Sequence, residues 1–211
     1  VLHREVMLLL PSFYFGSVEH YRLLARHQQV LIDTGEHYLR QSYRTRTTII
    51  GPNGVHDLSA QIIHGHGAKL PMREGRVSRA ETWPQQHLHA IRSAYGKSPW
   101  FIHYIDEIEQ VLMKGHERLI DLNRDTLRLG LKWLGLTTEV LTSEAFVEDA
   151  TGMIDVRTSF HPKKPLPSSV EQVPPYPQVF ADRHGFKPRM SVIDLVCNQG
   201  PAAAEALRAP Y

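Results

Sequence analysis

The fold is decided by residues 5–54, which have the sequence EVMLLLPSFYFGSVEHYRLLARHQQVLIDTGEHYLRQSYRTRTTIIGPNG. Two short apolar runs, residues 6–10 and 30–32, flank a segment with helical spacing at residues 17–27. Unbroken apolar runs are typical of strands covered on both faces, so the stretch predicts a strand, a helix and a strand. Polar residues follow both runs, and open α/β sheets bind their ligands at the carboxyl ends of such strands. The stretch therefore predicts the fold and the place of a functional site.

Residues 43–63 predict a β-hairpin that follows the second strand. The GPNG sequence at residues 51–54 is strong turn chemistry, and polar and apolar side chains alternate in residues 55–63. If the chain is extended from Ser42 onwards, Arg44 and Arg46 lie on one face of the strand, about 6.5–7 Å apart. We expect the hairpin to be part of the same sheet as the first two strands.

Three helices follow, and capping residues mark their limits. They are expected at residues 82–96, 98–115 and 117–134. Asn123 lies within the apolar stripe of the third helix, where an unpaired buried amide would cost about 1–3 kcal/mol. We expect Asn123 either to hold a neighbouring loop or to bind a ligand.

The rest of the chain predicts smaller elements: a strand at residues 138–142, a proline-rich connector at 160–178, a short helix after Ser191 and a tail at 202–211. The predicted fold class is α/β. A mixed sheet built from the N-terminal half (strand-helix-strand, then the β-hairpin) packs against the three central helices, with a Pro-rich C-terminal extension. Residues 1–155 are expected to form the α/β core domain, and residues 156–211 the Pro-rich connector and a short C-terminal helix that packs on it.

The composition is that of an ordinary soluble globular protein, with 42% hydrophobic and 22% charged residues. A formal net charge of +2 is too small to indicate nucleic acid or a membrane surface as partner. No run approaches the ~18 apolar residues of a membrane span, and no signal peptide is visible. The single cysteine, Cys197, excludes an intrachain disulfide. We expect a cytoplasmic protein.

The thirteen histidines do not indicate a metal site. His87 and His89 are two positions apart on a predicted helix, so their side chains point about 200° apart and cannot share an ion. His64 and His66 lie in a loop, where the same spacing can chelate, but neither an HExxH sequence nor a cysteine pair supports zinc. We assign no metal ligand, and the sequence identifies no cofactor.

Arg44 and Arg46 are the strongest candidates for a binding site. Two guanidiniums on one face can hold a diphosphate or a carboxylate, because each presents a planar pair of donors. The alternative is a solvated hairpin face with weak surface ion pairs. The predicted ligand is an anionic small molecule. The predicted substrate-binding residues are Tyr14, Gln41, Tyr43, Arg44, Arg46 and Asn123.

Asp33 and His20 are the candidate catalytic residues. Asp33 follows the second strand, where a carboxylate can act as a general base, bind a metal or hold the neighbouring loop. His20 lies in the first turn of the first helix and faces the same edge of the sheet, where it can transfer protons. The alternative for His20 is a surface histidine at a helix end.

Several motifs with known chemistry are absent. The sequence contains no GxxxxGK[ST], no GxGxxG after the first strand and no GxSxG. Standard NTPases, Rossmann dehydrogenases and α/β-hydrolases are therefore poor models for this chain.

Several sequences occur together across residues 7–201: PSFYFG at 11–16, YLRQSYRTR at 38–46, GPNG at 51–54, SAYGKSPWF at 93–101, and QVF, GFKP and SVIDL within 178–195. In this combination the chain resembles the WbqC-like family. Many members have Gln-Pro where this chain has Leu10-Pro11, and Asn-Arg where it has Thr45-Arg46. Any contact that depends on that glutamine or asparagine is altered here.

The resemblance implies a role in surface polysaccharide assembly, because the family takes its name from a protein of O-antigen gene clusters. It suggests a transferase that moves an amino-acyl or acyl group to a nucleotide-linked amino sugar. The diphosphate of such a nucleotide sugar suits the arginine pair. Two other functions remain open: a non-catalytic module that binds an anionic metabolite or a partner enzyme, and a nucleotidylyltransferase-like enzyme.

Overall fold

The computed structural model describes residues 6–63, 70–80, 82–167 and 170–209. The strands, in chain order, are β1 (Met7–Leu10), β2 (Gln29–Ile32), β3 (Arg46–Gly51), β4 (Gly54–Ser59), β5 (Ile62–Ile63), β6 (Arg76–Val77), β7 (Glu139–Thr142) and β8 (Met153–Asp155). The α-helices are α1 (Val18–Ala25), α2 (Trp83–Tyr95), α3 (Ile105–Met113), α4 (Leu119–Trp133), α5 (Ala181–His184), α6 (Val192–Gln199) and α7 (Ala203–Arg208). Short 3-10 turns cover Met72–Glu74, Phe101–His103 and Gly200–Ala202.

A four-stranded parallel sheet, in the order β7-β2-β1-β8, forms the centre of the fold. Leu8 of β1 pairs with Val30 of β2 on one side and with Ile154 of β8 on the other. Leu8, Leu9 and Leu10 are fully buried, as an unbroken apolar run predicts. The connection between β1 and β2 contains α1, which is the kind of crossover that parallel strands require. The predicted α/β class is confirmed.

The composition of the sheet differs from the prediction. Within the described residues the hairpin of β3 and β4 is a separate two-stranded sheet, and β7 and β8 supply the outer strands of the parallel sheet. β3 packs against α2 and α6 instead, a tertiary contact that the local sequence does not encode. The sequence does not predict β8, because three residues are too few to show a period.

The central helices lie close to their predicted positions. The second of them begins later than its capping residues suggest, because residues 101–103 form a 3-10 turn before α3 starts at Ile105. The proline-rich connector at residues 160–178 contributes to the core through Val170, Val173 and Tyr176, which are buried. None of the helices in the described ranges is long and apolar enough to cross a membrane.

The prediction of a C-terminal tail is wrong. Residues 203–208 form α7, and Ala203 and Leu207 are fully buried. The buried guanidinium of Arg22 in α1 donates hydrogen bonds to the carbonyl oxygens of Leu207 (3.0 Å) and Ala209 (2.8 Å). These contacts hold the end of α7 against α1. Residues so distant in sequence leave no local pattern, so the tail looks featureless when the sequence is considered alone.

Candidate functional site

A cavity of about 320 Å³ lies at the carboxyl ends of the parallel strands. Ser12 and Phe13, which follow β1, and Thr34, which follows β2, line one wall together with Thr142 at the end of β7. The opposite wall is α4. The volume is at the lower end of the range of small-molecule sites, which is roughly 300–1,000 Å³. The fold therefore offers a ligand-sized concavity at the edge where α/β sheets bind ligands.

One stripe of α4 forms the wall of the cavity. Its apolar members Ile120, Leu127 and Leu131 recur at helical spacing and face the cavity with Arg124 and Arg128. Arg124 and Arg128 are four residues apart, so they are neighbours on the helix surface. This wall of the cavity therefore combines apolar side chains with two cationic groups.

The mouth of the cavity is cationic. Its lining includes Arg73, Arg118, Arg124 and Arg128, with Asp121 as the one carboxylate among the lining residues that the structure describes. Asp121 forms an ion pair with Arg124 (2.7 Å). Arg118 is exposed and has no ion pair among the described residues. Arg73 and Arg128 lie 4.0 Å and 3.9 Å from the carboxylates of Glu74 and Asp125. Arg118 is therefore the uncompensated cation among the described lining residues, and such a charge at the mouth of a cleft attracts anionic ligands.

His20 lies inside the cavity wall and is 2% exposed. Neither ring nitrogen has a hydrogen-bond partner among the described residues, although both are buried. Its ring packs edge to face against Phe13, with the centroids 5.0 Å apart. Burial lowers the pKa of the imidazole to about 3, so the ring is neutral at pH 7. The alternative of a surface histidine is wrong, and His20 is instead a buried polar group that lacks a protein partner.

Two local features fix the position of this imidazole. Ser17 is the N-cap of α1, and its hydroxyl accepts a hydrogen bond from the backbone N–H of His20 (3.4 Å). Gly16 lies against the ring, because a Cβ at this position would collide with Nδ1 of His20. The loop after β1 therefore leaves space for the imidazole at the start of α1.

Asn123 also lines the cavity and is 1% exposed. Its Nδ2 donates to the carbonyl oxygens of Ser12 (3.3 Å) and Arg44 (2.9 Å), so it holds the loops after β1 and before β3. Its Oδ1 is buried and has no partner within the described structure. Asn123 thus has the geometry of a loop brace and also presents a free acceptor, which fits both of the roles expected for it.

Asp33 has the geometry of a structural carboxylate. It is fully buried at the end of β2 and accepts hydrogen bonds from five donors. The shortest comes from Nη1 of Arg157 (2.6 Å), and the others come from the backbone N–H groups of Gly35, Glu36 and Val147 and from the Ser143 hydroxyl. Of the three roles expected for Asp33, this environment favours the one that holds the neighbouring loop.

Arg44 is 2% exposed and donates to both carboxylate oxygens of Glu36, from Nε (2.8 Å) and Nη2 (2.5 Å). The expectation of a strand from Ser42 is wrong, because β3 begins only at Arg46 and the preceding residues form turns. The N–H of Thr45 donates to the carbonyl of Ser42 and closes one of these turns. Arg44 therefore points into the interior, away from the hairpin face of Arg46.

The other predicted substrate-binding residues are dispersed. Tyr14 is fully buried, and its hydroxyl is hydrogen-bonded to Nδ1 of His87 (2.9 Å). Gln41 is exposed and has a positive φ of 54° in the turn before β3. Tyr43 and Arg46 line a second groove, described below. Of the eight predicted residues, the structure brings His20 and Asn123 together at the strand-end cavity.

The described residues contain no group of three or more histidine, cysteine, aspartate or glutamate side chains placed to hold a metal ion. His64 and His66 lie outside the described residues.

Sequence reasoning misses the arginines of the cavity mouth. Exposed arginines on a helix are typical of a solvated face, so the sequence does not indicate that Arg118, Arg124 and Arg128 belong to a site. The signal that could have identified them is their position beside an apolar stripe that contains Asn123, a buried amide. An apolar stripe that is flanked by arginines and contains a polar residue indicates a wall shared between the core and a cavity.

No curated protein and no solved structure matches this chain. The model of the WbqC-like protein family matches residues 12–161, which is well over half of the 211 residues. The matched range begins two residues after β1, contains β2, β7, β8 and α4, and includes every residue that lines the strand-end cavity. This chain therefore belongs to the WbqC-like protein family.

Proposed function

We propose that this protein is a transferase of surface polysaccharide biosynthesis, which moves an amino-acyl or acyl group to a nucleotide-linked amino sugar. The observation that carries the proposal is the strand-end cavity, which combines a cationic mouth with a buried, unpartnered imidazole. A soluble acceptor of this class bears a diphosphate and an amine, and the two ends of the cavity suit these two groups. Membership of the WbqC-like family supports the setting of the reaction.

The arginines of the mouth would bind the diphosphate. Arg118 has no carboxylate partner in the described structure, so its guanidinium is available for a bidentate contact with phosphate oxygens. Arg124 and Arg128 would add positive charge from the adjacent turn of α4. Binding there would direct the sugar towards Phe13 and His20.

His20 would manage the proton of the reaction. In acyl transfer the amine nitrogen attacks the carbonyl carbon of an activated acyl donor, such as a thioester. The new C–N bond forms, the C–S bond breaks, and the amine loses a proton that the thiolate finally receives. A neutral imidazole can accept this proton and pass it on. The bound diphosphate would favour the protonated imidazole, because a nearby negative charge raises the pKa of histidine.

Asn123 would orient the nucleophile. Its free Oδ1 can accept a hydrogen bond from the attacking amine, and its Nδ2 is held by two backbone carbonyls. An amide fixed in this way keeps its orientation before the substrate arrives, which favours a productive geometry. Asp33 has no role in the proposed chemistry, because the five groups that donate hydrogen bonds to its carboxylate favour a role in holding the loop after β2.

The test is a comparison of binding with turnover. Nucleotide-linked amino sugars are titrated calorimetrically into the wild type, Arg118→Ala and Arg92→Ala. Arg92 is the control, because it is an exposed arginine on α2 that does not line the cavity and whose guanidinium forms an ion pair with Glu109 (2.8 Å). We expect Arg118→Ala to weaken binding about tenfold or more, and Arg92→Ala to leave it unchanged. Equal affinities in the two variants would contradict the proposal.

His20→Gln tests the chemical step with a panel of acyl donors. We expect it to keep its affinity for the nucleotide sugar and to lose turnover about 100-fold to 10,000-fold. Unchanged turnover would remove His20 from the reaction. If the wild type binds the sugar and turns over no acyl donor, the chain is a binding module and the transferase proposal is wrong.

A further inference from the structure

A second groove, also of about 320 Å³, lies between the hairpin and the C-terminal part of the chain. Tyr43, Arg46 and Asp57 line it from the hairpin side, and Lys163, Lys187 and Arg189 line it from the other. It is distinct from the strand-end cavity. Phe13 lines the cavity and Tyr43 lines the groove, and their rings pack edge to face with the centroids 5.8 Å apart.

Positive charge predominates in the groove. Four of its lining residues are cationic, whereas Asp57 is the one carboxylate among the described lining residues. Asp57 is already engaged, because it accepts hydrogen bonds from Nη1 of Arg46 (3.0 Å) and from the Thr48 hydroxyl (2.8 Å). Lys163 and Lys187 form no ion pair with any residue that the structure describes. The groove therefore holds more cations than its own carboxylate can compensate.

Arg189 is held in place without a carboxylate on its guanidinium. Nη1 donates to the carbonyl of Lys164 (2.8 Å), and Nη2 donates to the hydroxyl of Tyr43 (3.1 Å). The backbone has a φ of 66°, and its N–H donates to Oε1 of Glu19 (3.0 Å). A positive φ is unfavourable for a side chain of this kind and marks a position that the surrounding structure fixes. The charge of Arg189 is thus fixed beside the groove by neutral acceptors.

Donors without acceptors lie beside these charges. Nε of Arg46 is buried and has no partner among the described residues. The Tyr43 hydroxyl accepts from Arg189, and its own proton has no acceptor in the described structure. A buried donor without an acceptor is costly, and an anion supplied from outside would satisfy it.

We propose that this groove binds the phosphate or diphosphate group of a phosphorylated small molecule, separately from the strand-end cavity. Lys163 and Lys187 supply ammonium groups, Arg46 and Tyr43 supply fixed hydrogen-bond donors, and Arg189 supplies a fixed charge. This combination of donors and charge is the chemistry that recognises phosphate oxygens.

The experiment titrates inorganic pyrophosphate into the full chain by calorimetry, in an Arg118→Ala background that weakens anion binding at the mouth of the other cavity. The test variant is Lys163→Ala with Lys187→Ala. The control is Lys97→Ala with Lys132→Ala, which removes the same charge from lysines that line neither the groove nor the cavity. We expect the background protein to bind pyrophosphate, the test variant to bind about tenfold more weakly or worse, and the control to match the background.

Two results would overturn the proposal: no pyrophosphate binding in the Arg118→Ala background protein, or equal weakening in the test and control variants. Urea unfolding curves of both double variants serve as a check, because alanine in place of exposed or half-buried lysines without ion pairs to buried groups is expected to leave them nearly superimposable. The outcome is independent of acyl transfer, so failure of the proposed reaction leaves this site intact.

Discussion

The protein contains two groups of arginines that have opposite environments. Arg44 is buried and Arg157 is half-buried, and they form ion pairs with the buried carboxylates of Glu36 and Asp33. Arg118, Arg124 and Arg128 are exposed around the mouth of the strand-end cavity. The first group connects the loop after β2 to the segments that precede β3 and follow β8. The second group extends into solvent, where Arg124 and Arg128 form surface ion pairs with Asp121 and Asp125 and Arg118 forms none with a described residue.

The difference shows that burial influences whether an arginine stabilises the fold or is available to bind a ligand. A buried guanidinium needs a carboxylate, because an unpaired charge in the interior is very costly. Once paired, it has few donors left for a ligand. An exposed guanidinium gains little stability from its neighbours and keeps its donors available. The interior arginines therefore contribute to stability, and those at the cavity mouth are free to contribute to binding.

The largest expected effect comes from breaking an interior pair. Arg44→Met removes the guanidinium that donates to both oxygens of Glu36 and leaves a buried carboxylate without its cation. We expect the free energy of unfolding to fall by about 3–5 kcal/mol. Urea denaturation monitored by circular dichroism measures the change.

A double variant sharpens this result. Adding Glu36→Leu to Arg44→Met removes the abandoned carboxylate, and we expect it to recover much of the lost stability, because apolar replacements of buried ion pairs are often tolerated. A loss below about 1 kcal/mol for Arg44→Met would place this pair with ordinary surface ion pairs and erase the distinction between the two groups.

Asp194 extends the comparison to a buried carboxylate without a cation. It is fully buried, and no cation pairs with it among the described residues. Tyr176 (2.6 Å) and Gln178 (2.8 Å) donate to its Oδ2. Burial raises its pKa from 3.8 to about 6. The folded state thus holds the proton more tightly than the unfolded chain. Its stabilising effect is complete below pH 3.8 and is lost as the pH rises through about 6.

Asp194→Asn cannot titrate, so it isolates this effect. We expect the free energy of unfolding of the wild type to fall, relative to that of Asp194→Asn, by about 2 kcal/mol between pH 4 and 7.5, at about 1.4 kcal/mol for each pKa unit. Urea titrations across this pH range measure the difference. Parallel pH profiles for the two proteins would mean that Asp194 is ionised at its ordinary pKa.

The smallest expected effect concerns the cavity mouth. Arg118→Ala is expected to change the free energy of unfolding by no more than about 0.5 kcal/mol, because the side chain is exposed and forms no ion pair with a described residue. The measurement is the same urea titration that is used for Arg44→Met. A loss of several kcal/mol would assign Arg118 to the structural group and weaken its proposed role in binding.

The regular elements could be predicted wherever a local pattern is strong. Apolar runs identify β1 and β2, and capping residues with apolar stripes identify α2 and α4. The pattern fails for β8 and α7, because β8 is very short and α7 depends on a distant arginine. Sheet order is also absent from local sequence, since β7 and β8 pair with strands more than a hundred residues earlier.

The candidate site could be predicted in position and only partly in its residues. Polar groups after β1 and β2 indicate the edge of the sheet at which the cavity lies, and His20 and Asn123 both line it. The role expected of Arg44 depends on an extended backbone that the turn before β3 replaces. The exposed arginines of α4 cannot be distinguished from a solvated helix face until the position of the helix beside the sheet is known.

Gly16 has a consequence for the evolution of this protein. Any Cβ at that position would occupy the space of the His20 ring, so the histidine depends on a neighbour that takes no part in hydrogen bonding to it. The two codons are therefore tied to each other in descendants of this gene. A lineage that replaces the glycine first must displace the imidazole from its present position, whereas one that replaces the histidine first frees the space that a Cβ at residue 16 would need.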